Sequence, residues 1–435
     1  MGRCRRASSG RSATTRTPTW SCPSGPPPRR RPDTGQLVGD PGLEPLLERL
    51  LLTDLRGYHA LELELGPGPH LLHGPNAAGK TSLLEAIVLL SSGRSHRTPT
   101  DAEMIRWGAG LARVEGVVDG GTAAGGATLE VALLREGSGG QRKRIRVNGV
   151  PRRSTSLGGT LRVVLFAPEE MLLIAGSPGL RRAALDSLSG GRSPAYVADL
   201  ATYGRALQQR NSLLRAIREE QASRDQLRFW DGALLDAGAA VVTARLALLE
   251  AIAAPLDAAH REIAPEEGRL TLRYETNAPA NPGESIRAAL ARRLAETAEK
   301  EVWNGSTLIG PHRDDLVFEL DQGGTIRDLA GFASRGQQRT AILALKLAEL
   351  DLLTALDGRP PLLLLDDVFS ELDPDRRSHL VRRIAALPQA LITTTTLDDL
   401  DPALRAHATS WAVESGPDGA RLGPRSGAEP GASPR

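Results

Sequence analysis

The alternation of apolar and polar residues over 46–65 predicts two strands joined by a turn, because the side chains of a strand point alternately to its two faces. A short apolar run at Leu71–His73 predicts a buried strand, and Thr81–Leu90 has its apolar residues at helical spacing. Strand patterns dominate from 110 to 165, where Asn148–Gly149 is typical of a hairpin turn. The first part of the chain is therefore predicted to be sheet with one helix.

Two long helical patterns follow, at Ala195–Arg218 and Leu227–Leu256. A short polar segment connects them, so we expect an antiparallel helix pair. After a strand pattern at Leu270–Tyr274, the helical pattern Arg339–Leu356 precedes Leu362–Leu365, which is apolar at every residue. Such a run is typical of a parallel strand buried on both faces. The chain is thus predicted to be of the α/β class with an inserted helical segment.

Length and composition fit a soluble protein of two or three domains, since 40% of the 435 residues are hydrophobic and 24% are charged. No stretch approaches the roughly 18 uninterrupted apolar residues of a membrane-spanning helix, so we expect no membrane segment and a cytoplasmic location. Both cysteines, Cys4 and Cys22, lie near the start of the chain. The rest therefore offers no disulfide framework, thiolate zinc site or cysteine nucleophile.

The net charge of +2 is unevenly distributed along the chain. Residues 1–44 hold eight arginines and three acidic residues, a net charge of +5, which leaves −3 for the other 391 residues. Because 1–44 is rich in Arg, Ser, Thr and Pro without hydrophobic periodicity, we expect it to be disordered. A misassigned start codon is the alternative to a targeting segment. The Gly-, Pro- and Ser-rich tail 416–435 is also expected to be disordered.

Residues 74–81 fit the phosphate-binding P-loop pattern, with a short strand before them and a helix after them. Glycines in such a loop let backbone N–H groups surround phosphate oxygens at a helix N-terminus. We expect Lys80 to reach the β- and γ-phosphates of ATP and Thr81 to ligate Mg²⁺. The full predicted nucleotide-binding set of this loop is Gly74, Pro75, Asn76, Ala77, Ala78, Gly79, Lys80, Thr81 and Ser82.

The apolar run that starts at Leu362 ends in Asp366 and Asp367, the arrangement of a Walker B strand. Asp366 would emerge at the carboxyl end of the strand, where a carboxylate holds Mg²⁺ directly or through water. Asp367 is then placed to orient a water molecule. Two adjacent carboxylates repel each other without a cation, so the pair favours a metal-dependent catalytic site over a strand that simply ends in acids.

The segment Ser334–Gln338 opens a helix and lies 28 residues before Leu362. This is the layout of the signature motif in ABC-type ATPases, although the residues alone also fit a helix N-cap at Ser334. A signature motif completes the γ-phosphate site of a second subunit, because it cannot reach the P-loop of its own chain. We therefore predict that Ser334, Gly336 and Gln337 contact ATP that is bound to a partner head.

Further segments carry a family resemblance: Leu52–Tyr58, Gly93–Arg97, Leu165–Glu170, Gln209–Asn211, Trp230–Asp231, Gly310–Asp315 and Leu364–Asp373. In these the chain resembles the RecF family, the bacterial recombination-mediator ATPases of the ABC/SMC-like class. The resemblance spans about residues 46–400, and 1–44 has no counterpart in it, which favours the start-codon explanation. Ser370–Asp373 matches the D-loop position, and Thr394–Thr396 occupies the switch position.

The resemblance implies an α/β fold, an ABC/SMC-type P-loop ATPase head with an inserted α-helical arm domain. The head is expected to be split into 45–190, with the P-loop, and 303–415, with the signature and Walker B segments, around an arm at 191–302. Asp367 stands where many ABC ATPases have glutamate, and its shorter side chain implies slow hydrolysis.

The resemblance also implies a function in recombinational DNA repair and replication-fork maintenance. A weak, DNA-stimulated ATPase would form an ATP-dependent homodimer that clamps double-stranded DNA and acts at ss/dsDNA junctions. By resemblance, RecR and RecO are its partners in loading recombinase at single-strand gaps.

Three further groups of polar residues are candidates for binding. Arg56 resembles the family's basic residue after the first strand, which reaches the nucleotide phosphates. His312 and Arg313 lie in a polar run that we expect near the nucleotide or DNA, with a structural turn as the alternative. A basic hairpin can lie along DNA phosphates or can be a charged edge strand that resists aggregation. Its residues are Arg142, Lys143, Arg144, Arg146, Arg152 and Arg153.

Three alternative functions stay open. An ATPase subunit of a transporter is disfavoured because 254 residues separate Lys80 from Ser334 and the switch residue is threonine. A long-armed SMC-like protein or a zinc-hook nuclease partner is disfavoured because the arm has only two helices and no Cys-x-x-Cys hook. A non-hydrolysing scaffold is supported only by Ala77, where many related ATPases have glycine and where a positive φ would cost about 1 kcal/mol.

Overall fold

A computed structural model describes residues 46–119, 126–135, 141–154, 157 and 159–425. The predicted disordered extension, 1–44, lies outside the described residues, and so does the end of the tail, 426–435. In chain order the strands are β1 (Leu47–Leu55), β2 (Tyr58–Glu64), β3 (Gly68–His73), β4 (Leu111–Val118), β5 (Ala127–Arg135), β6 (Gln141–Val147), β7 (Val150–Arg152), β8 (Val163–Phe166), β9 (Arg269–Glu275), β10 (Asp315–Gln322), β11 (Thr325–Asp328), β12 (Leu362–Asp366), β13 (Gln389–Thr394), β14 (Thr409–Gly416) and β15 (Gly419–Leu422).

In chain order the helices of the described residues are α1 (Lys80–Ser92), α2 (Leu172–Ala175), α3 (Pro178–Arg192), α4 (Pro194–Arg218), α5 (Leu227–Ile263), α6 (Ile286–Asn304), α7 (Leu329–Phe332), α8 (Arg335–Asp357), α9 (Pro374–Ala385) and α10 (Pro402–His407). Four of them, α1, α4, α5 and α8, agree in position with the helical patterns of the sequence. Three more, α3, α6 and α9, were not predicted although they have 12 to 19 residues each, and the others are short.

The central sheet has the strand order β15-β14-β3-β13-β12-β8, and all of its strands except β15 are parallel. Every residue of β12 and β13 is buried, as the apolar run at Leu362–Leu365 predicts. Alternate residues of β12 face two different cores: Leu362 and Leu364 pack on the side of α1, and Leu363 and Leu365 on the side of α8. Helices therefore cover both faces of the parallel sheet.

A second, antiparallel sheet has the strand order β2-β1-β4-β5-β6-β7. Leu50 and Leu52 of β1 and Val114 of β4 lie in the same core as the buried face of α1. The turn between β6 and β7 is the predicted hairpin, with φ 50° at Asn148 and 74° at Gly149. Positive φ at both central residues matches the right-handed twist of the flanking strands.

Helices α4 and α5 form the predicted antiparallel pair, and α6 packs against both. Helix α5 extends seven residues beyond its predicted end, and its later residues Leu248, Ile252 and Leu256 share a core with α8. Strand β9 pairs with β10, which follows the predicted arm in the chain. The predicted arm, 191–302, is therefore not wholly separate from the head. Periodicity missed this because core contacts between distant segments leave no local pattern.

One helix of the described residues, over 224–263, is long and apolar enough to cross a membrane, judged by length and composition alone. The search for uninterrupted apolar runs missed it because Arg245 and Glu250 interrupt the run. Arg245 is 2% exposed, pairs with Asp186 at 2.7 Å, and donates to the Tyr196 hydroxyl at 3.2 Å. The helix thus carries a buried, paired arginine and packs on α4 and α8.

The polar run Gly310–Asp315 joins the arm to the head, which favours the structural-turn alternative for His312. Contact of His312 and Arg313 with nucleotide or DNA stays a prediction. His312 Nδ1 is 2.6 Å from the Tyr203 hydroxyl of α4, and burial lowers the pKa of His312 to about 4. Arg181 of α3 makes two hydrogen bonds of 2.8 Å to Asp315. The run is polar because its side chains hold helices and a sheet together where backbone pairing stops.

The sequence places the start of the disordered tail too early, because residues 419–422 form a strand. Strand β15 pairs with the end of β14, and the Ala420 N–H donates to the Gly57 carbonyl at 2.8 Å. Gly419, at φ 115°, leaves only 2.4 Å between a built Cβ and that same carbonyl oxygen. Glycine in the tail therefore permits close backbone approach, which composition alone does not distinguish from disorder.

Candidate functional site

Two hydroxyls meet one carboxylate at the carboxyl edge of the central sheet. Thr81 Oγ1 donates to Asp366 Oδ1 at 3.1 Å, and Thr393 Oγ1 donates to the same oxygen at 2.5 Å. Asp366 is 5% exposed, and Thr393 is fully buried. Because β3, β12 and β13 are parallel and adjacent, their ends bring together Thr81 and Asp366, which are 285 positions apart in the chain.

Glycines confine the P-loop backbone between β3 and α1. A Cβ on Gly74, which has φ 153°, would lie 2.2 Å from the Val413 carbonyl oxygen. A Cβ on Gly79, at φ 115°, would lie 3.0 Å from the Tyr58 hydroxyl, which donates to the Gly79 carbonyl at 3.2 Å. Tyr58 is fully buried, and burial raises its pKa, so the hydroxyl keeps its proton. The loop therefore leaves no room for side chains at either glycine.

Lys80 lies across this loop, where its Nζ donates to the carbonyls of Gly74 at 2.6 Å and Pro75 at 3.0 Å. The residue is 7% exposed. Burial lowers the pKa of Lys80, while the nearby charges of Asp367 and Asp366 act in the opposite direction. The ammonium is thus held between the P-loop and the two acids that end the Walker B segment.

Three candidate residues have a left-handed backbone without being glycine, and one of them is Arg56 at φ 52°. Ala77 has φ 64°, which meets the condition under which its Cβ costs about 1 kcal/mol. Asp367 has φ 52°, and its N–H donates to Thr393 Oγ1 at 3.0 Å. Ser370 Oγ donates to the Asp367 carbonyl at 2.9 Å. These bonds hold the strained conformation of Asp367, as is common for residues at catalytic sites.

The donor set fits a magnesium–nucleotide complex. The loop is a glycine-containing backbone cradle at the N-terminus of α1, and a hydroxyl and a carboxylate converge beside it. Among the residues that the structure describes, no group of three or more His, Cys, Asp and Glu is arranged to hold a metal ion. Mg²⁺ is usually held by one or two carboxylates together with substrate phosphates and water, so Asp366 and Thr81 suffice for it.

Arg56 has a different partner from the one predicted. Its guanidinium makes a two-point ion pair with Glu85, at 2.8 and 2.7 Å, and donates to the Glu103 carbonyl at 2.8 Å. The Glu85 side chain is fully buried, and the pairing raises the pKa of Arg56. The structure therefore assigns Arg56 the neutralisation of a buried acid on α1, and its contact with phosphate stays a prediction.

The predicted signature residues form the N-terminus of α8. Ser334 Oγ accepts from the Gln337 N–H at 3.2 Å, and Gln337 Oε1 accepts from the Ser334 N–H at 3.0 Å, a reciprocal capping box. Ser334 is exposed and Gly336 is half-buried. The N-cap interpretation and the signature interpretation are thus compatible, since the cap leaves the first turn of α8 open to solvent.

Three residues of the site were not predicted from the sequence. Glu85 lies one helical turn after Thr81, so its spacing could have indicated it. Thr393 reaches Asp366 because β13 lies beside β12, and the sequence does not give this strand order. Arg339 lies one turn into α8 and, with Asp366 and Asp367, lines a small cavity. It was placed only as the first residue of a helix.

The basic hairpin has its cations on two faces, and some of them are paired with acids. Arg142, Arg144 and Arg146 of β6 face the same way, but Arg146 pairs with Glu130 at 3.5 Å. Lys143 is bound to Asp101 at 2.8 Å and to the Gly93 carbonyl. Opposite β6, Arg152 aligns with buried Ile145 and thus belongs to the other face, and Arg153 is exposed. Within the described part of the chain, no acid pairs with Arg142 or Arg144.

Comparisons with known proteins agree with this geometry. The profile of the RecF/RecN/SMC N terminal domain matches residues 46–409. The DNA replication and repair protein RecF of Limosilactobacillus fermentum is 39% identical, over 85% of this chain and 98% of its own length. The chain belongs to the RecF family. It is thereby separated from the transporter ATPases that the sequence left as an alternative.

Solved structures support the same fold. A structure of the recombination mediator protein RecF-ATP in the RecFOR pathway superposes with a TM-score of 0.77 at 31% identity, over 87% of this chain and 98% of that one. A Smc head domain from Pyrococcus yayanosii superposes with a TM-score of 0.51 at 13% identity, over 87% and 96% of the two chains, which supports the fold alone. The predicted α/β head of the ABC/SMC type is confirmed.

The strain at Ala77 leads to a prediction. Ala77→Gly removes the Cβ that the left-handed backbone disfavours, so we expect the free energy of unfolding to rise by about 0.5–1 kcal/mol. Denaturant unfolding measures this change. The matched control is Ala78→Gly, because Ala78 is 1% exposed and its φ is not positive. We expect that control to lower the stability, and an equal loss in both variants would contradict the strain at Ala77.

Proposed function

We propose that this chain is an ATP-dependent DNA-binding protein of recombinational DNA repair and replication-fork maintenance. ATP pairs two heads, and the paired heads clamp double-stranded DNA. The contact of Thr81 with Asp366 beside the P-loop carries this proposal, because it assembles a nucleotide site from two distant parts of the chain. Membership of the RecF family supports the repair function, since curated relatives are named DNA replication and repair proteins.

In this proposal the residues of the P-loop bind ATP. Lys80 turns from the Gly74 and Pro75 carbonyls to the β- and γ-phosphates, and the N–H groups at the start of α1 bind phosphate oxygens. Thr81 and Asp366 would hold Mg²⁺, which neutralises phosphate charge when it is bound. A relative solved with ATP supports this choice of nucleotide.

The position of the signature residues supports head pairing. Ser334, Gly336 and Gln337 begin α8 at an exposed helix N-terminus, whose positive end favours a phosphate. In a two-fold dimer each head would offer this terminus to the ATP bound by Lys80 of the other. Two ATP molecules would then hold two chains together.

Hydrolysis would act as a reset. Asp367 orients a water molecule, and its short side chain on a hydrogen-bonded backbone favours slow turnover, so the protein would be a weak, DNA-stimulated ATPase. Loss of the γ-phosphate removes the contact of Ser334 with the partner's nucleotide and opens the clamp.

DNA binding would use local basic surface, because the chain beyond residue 44 carries a net charge of −3. Arg142 and Arg144 are exposed on one face of β6, and Arg152 and Arg153 extend the basic character of the hairpin. Lys143 and Arg146, already paired with Asp101 and Glu130, would contribute less. The phosphates of double-stranded DNA or of ss/dsDNA junctions are the ligands that this surface fits. RecR and RecO are the proposed partners, and the cytoplasm the proposed location.

Two single substitutions separate ATP binding from head pairing. We expect Lys80→Ala to lose both, because the phosphates lose their cation. We expect Ser334→Arg to bind ATP at wild-type affinity but to stay monomeric, because the bulky side chain blocks the partner's nucleotide. Nucleotide titration and light scattering with ATP measure the two properties.

The same measurements test the alternative that the protein is a non-hydrolysing scaffold. If Lys80→Ala still forms dimers with ATP, nucleotide is not what joins the heads, and the motifs would be relics.

The hairpin is tested through the salt dependence of DNA binding. We expect the double variant Arg142→Ala/Arg144→Ala to weaken binding to double-stranded DNA and to reduce the slope of log affinity against log salt by about 2, or roughly 1 for each lost phosphate contact. Arg146→Ala is the matched control, because Glu130 already neutralises that side chain. An unchanged slope in the double variant would remove this surface from the proposal.

A further inference from the structure

Two large apolar side chains lie exposed just before the signature helix. Phe332, the last residue of α7, is 74% exposed, and Ile326 of β11 is 62% exposed. Helix α7 packs against β11, which is an edge strand of its sheet. We call Ile326 and Phe332 the signature-side patch. Exposed apolar residues of this size on elements that pack together, as α7 and β11 do, mark contact surfaces more often than isolated ones do.

The signature-side patch is held rigidly to α8. Leu329, at the start of α7, is 1% exposed and anchors the short helix in the core below. Gln338 Nε2 of α8 donates to the Leu329 carbonyl at 3.1 Å, and the Asp328 side chain caps α7 through the Ala330 N–H at 2.8 Å. The backbone of α7 is therefore fixed, and it holds the Phe332 side chain in an exposed position.

We infer that the signature-side patch packs on the P-loop tip of a second copy of this chain. This inference rests on the proposed head pairing, in which Ser334 contacts ATP bound by the partner. Phe332 precedes Ser334 by two residues, so their Cα atoms are at most about 7 Å apart. A partner P-loop that brings its nucleotide to Ser334 thus comes within reach of the Phe332 ring.

The P-loop tip has a surface that fits an aromatic side chain. Pro75, Asn76 and Ala77 are all exposed, and two of the three are apolar. The left-handed backbone at Ala77 belongs to the turn that exposes this tip. In a two-fold dimer the same contact forms twice, once from each head. Each head then uses both its signature-side patch and its P-loop tip.

Charge favours the same occupant. Arg335 is exposed directly beyond Ser334, and Arg327 is exposed between Ile326 and the start of α7. These cations and the N-terminus of α8 lie next to the apolar residues along the chain, so the surface fits an apolar tip that carries a triphosphate. A second copy of this chain with ATP in its P-loop offers both the apolar tip and the triphosphate.

The test compares Phe332→Ala with Phe229→Ala in the full chain. Phe229 is also 74% exposed but lies at the start of α5, which runs for 37 residues, about 55 Å, before it ends in the core of the head. Nucleotide titration gives the ATP affinity of each variant, and sedimentation over a range of concentrations with a non-hydrolysable ATP analogue gives its dimer dissociation constant. Thermal unfolding checks that both variants fold.

We expect Phe332→Ala to bind nucleotide like the wild type and to dimerise about 30-fold more weakly, because two equivalent contacts are lost. Phe229→Ala should dimerise normally, and Phe332→Tyr should restore most of the affinity. Normal dimerisation of Phe332→Ala, with Ser334→Arg monomeric, would overturn the inference and leave the proposed function standing. If Ser334→Arg itself dimerises, head pairing through the signature fails, and the inference fails with it.

Discussion

The contact between Thr81 and Asp366 is the constraint on which the rest of the architecture depends. It joins two segments 285 positions apart, and it can form only if β3, β13 and β12 are parallel and adjacent. That order requires β12 and β13 to be buried on both faces, which explains their apolar sequences. The long insertion between the two segments is tolerated because its helices pack back on the same cores.

In the proposed function, the site that this constraint builds is one half of a nucleotide site shared by two heads. One head supplies Lys80, Thr81, Asp366 and Asp367, while its Ser334 caps its own helix and faces solvent. The buried Asp366 carboxylate accepts hydrogen bonds from two hydroxyls, which satisfy one of its oxygens within the head itself. Each head has a P-loop with two acids beside it, and its signature residue has no nucleotide of its own chain to contact. An ATP-linked dimer requires this arrangement.

Much of this was predictable from the sequence, because motifs with fixed local geometry leave local signals. The P-loop, the Walker B strand and the Asn148–Gly149 turn were found where expected. What escaped depends on long-range contacts. The pairing of Arg56 with Glu85, the interior position of His312 and the extension of α5 into the head core each rest on partners far away in sequence. Composition also misled at β15, where glycines that suggested disorder form a strand.

The most direct test of the composite site is to mix Lys80→Ala and Ser334→Arg chains in equal amounts and to measure ATP hydrolysis. A mixed dimer has one site with both defects and one site with neither, because each intact motif comes from a different chain. The account predicts hydrolysis well above the sum of the two separate variants. A mixture no more active than that sum would contradict a nucleotide site shared between two heads.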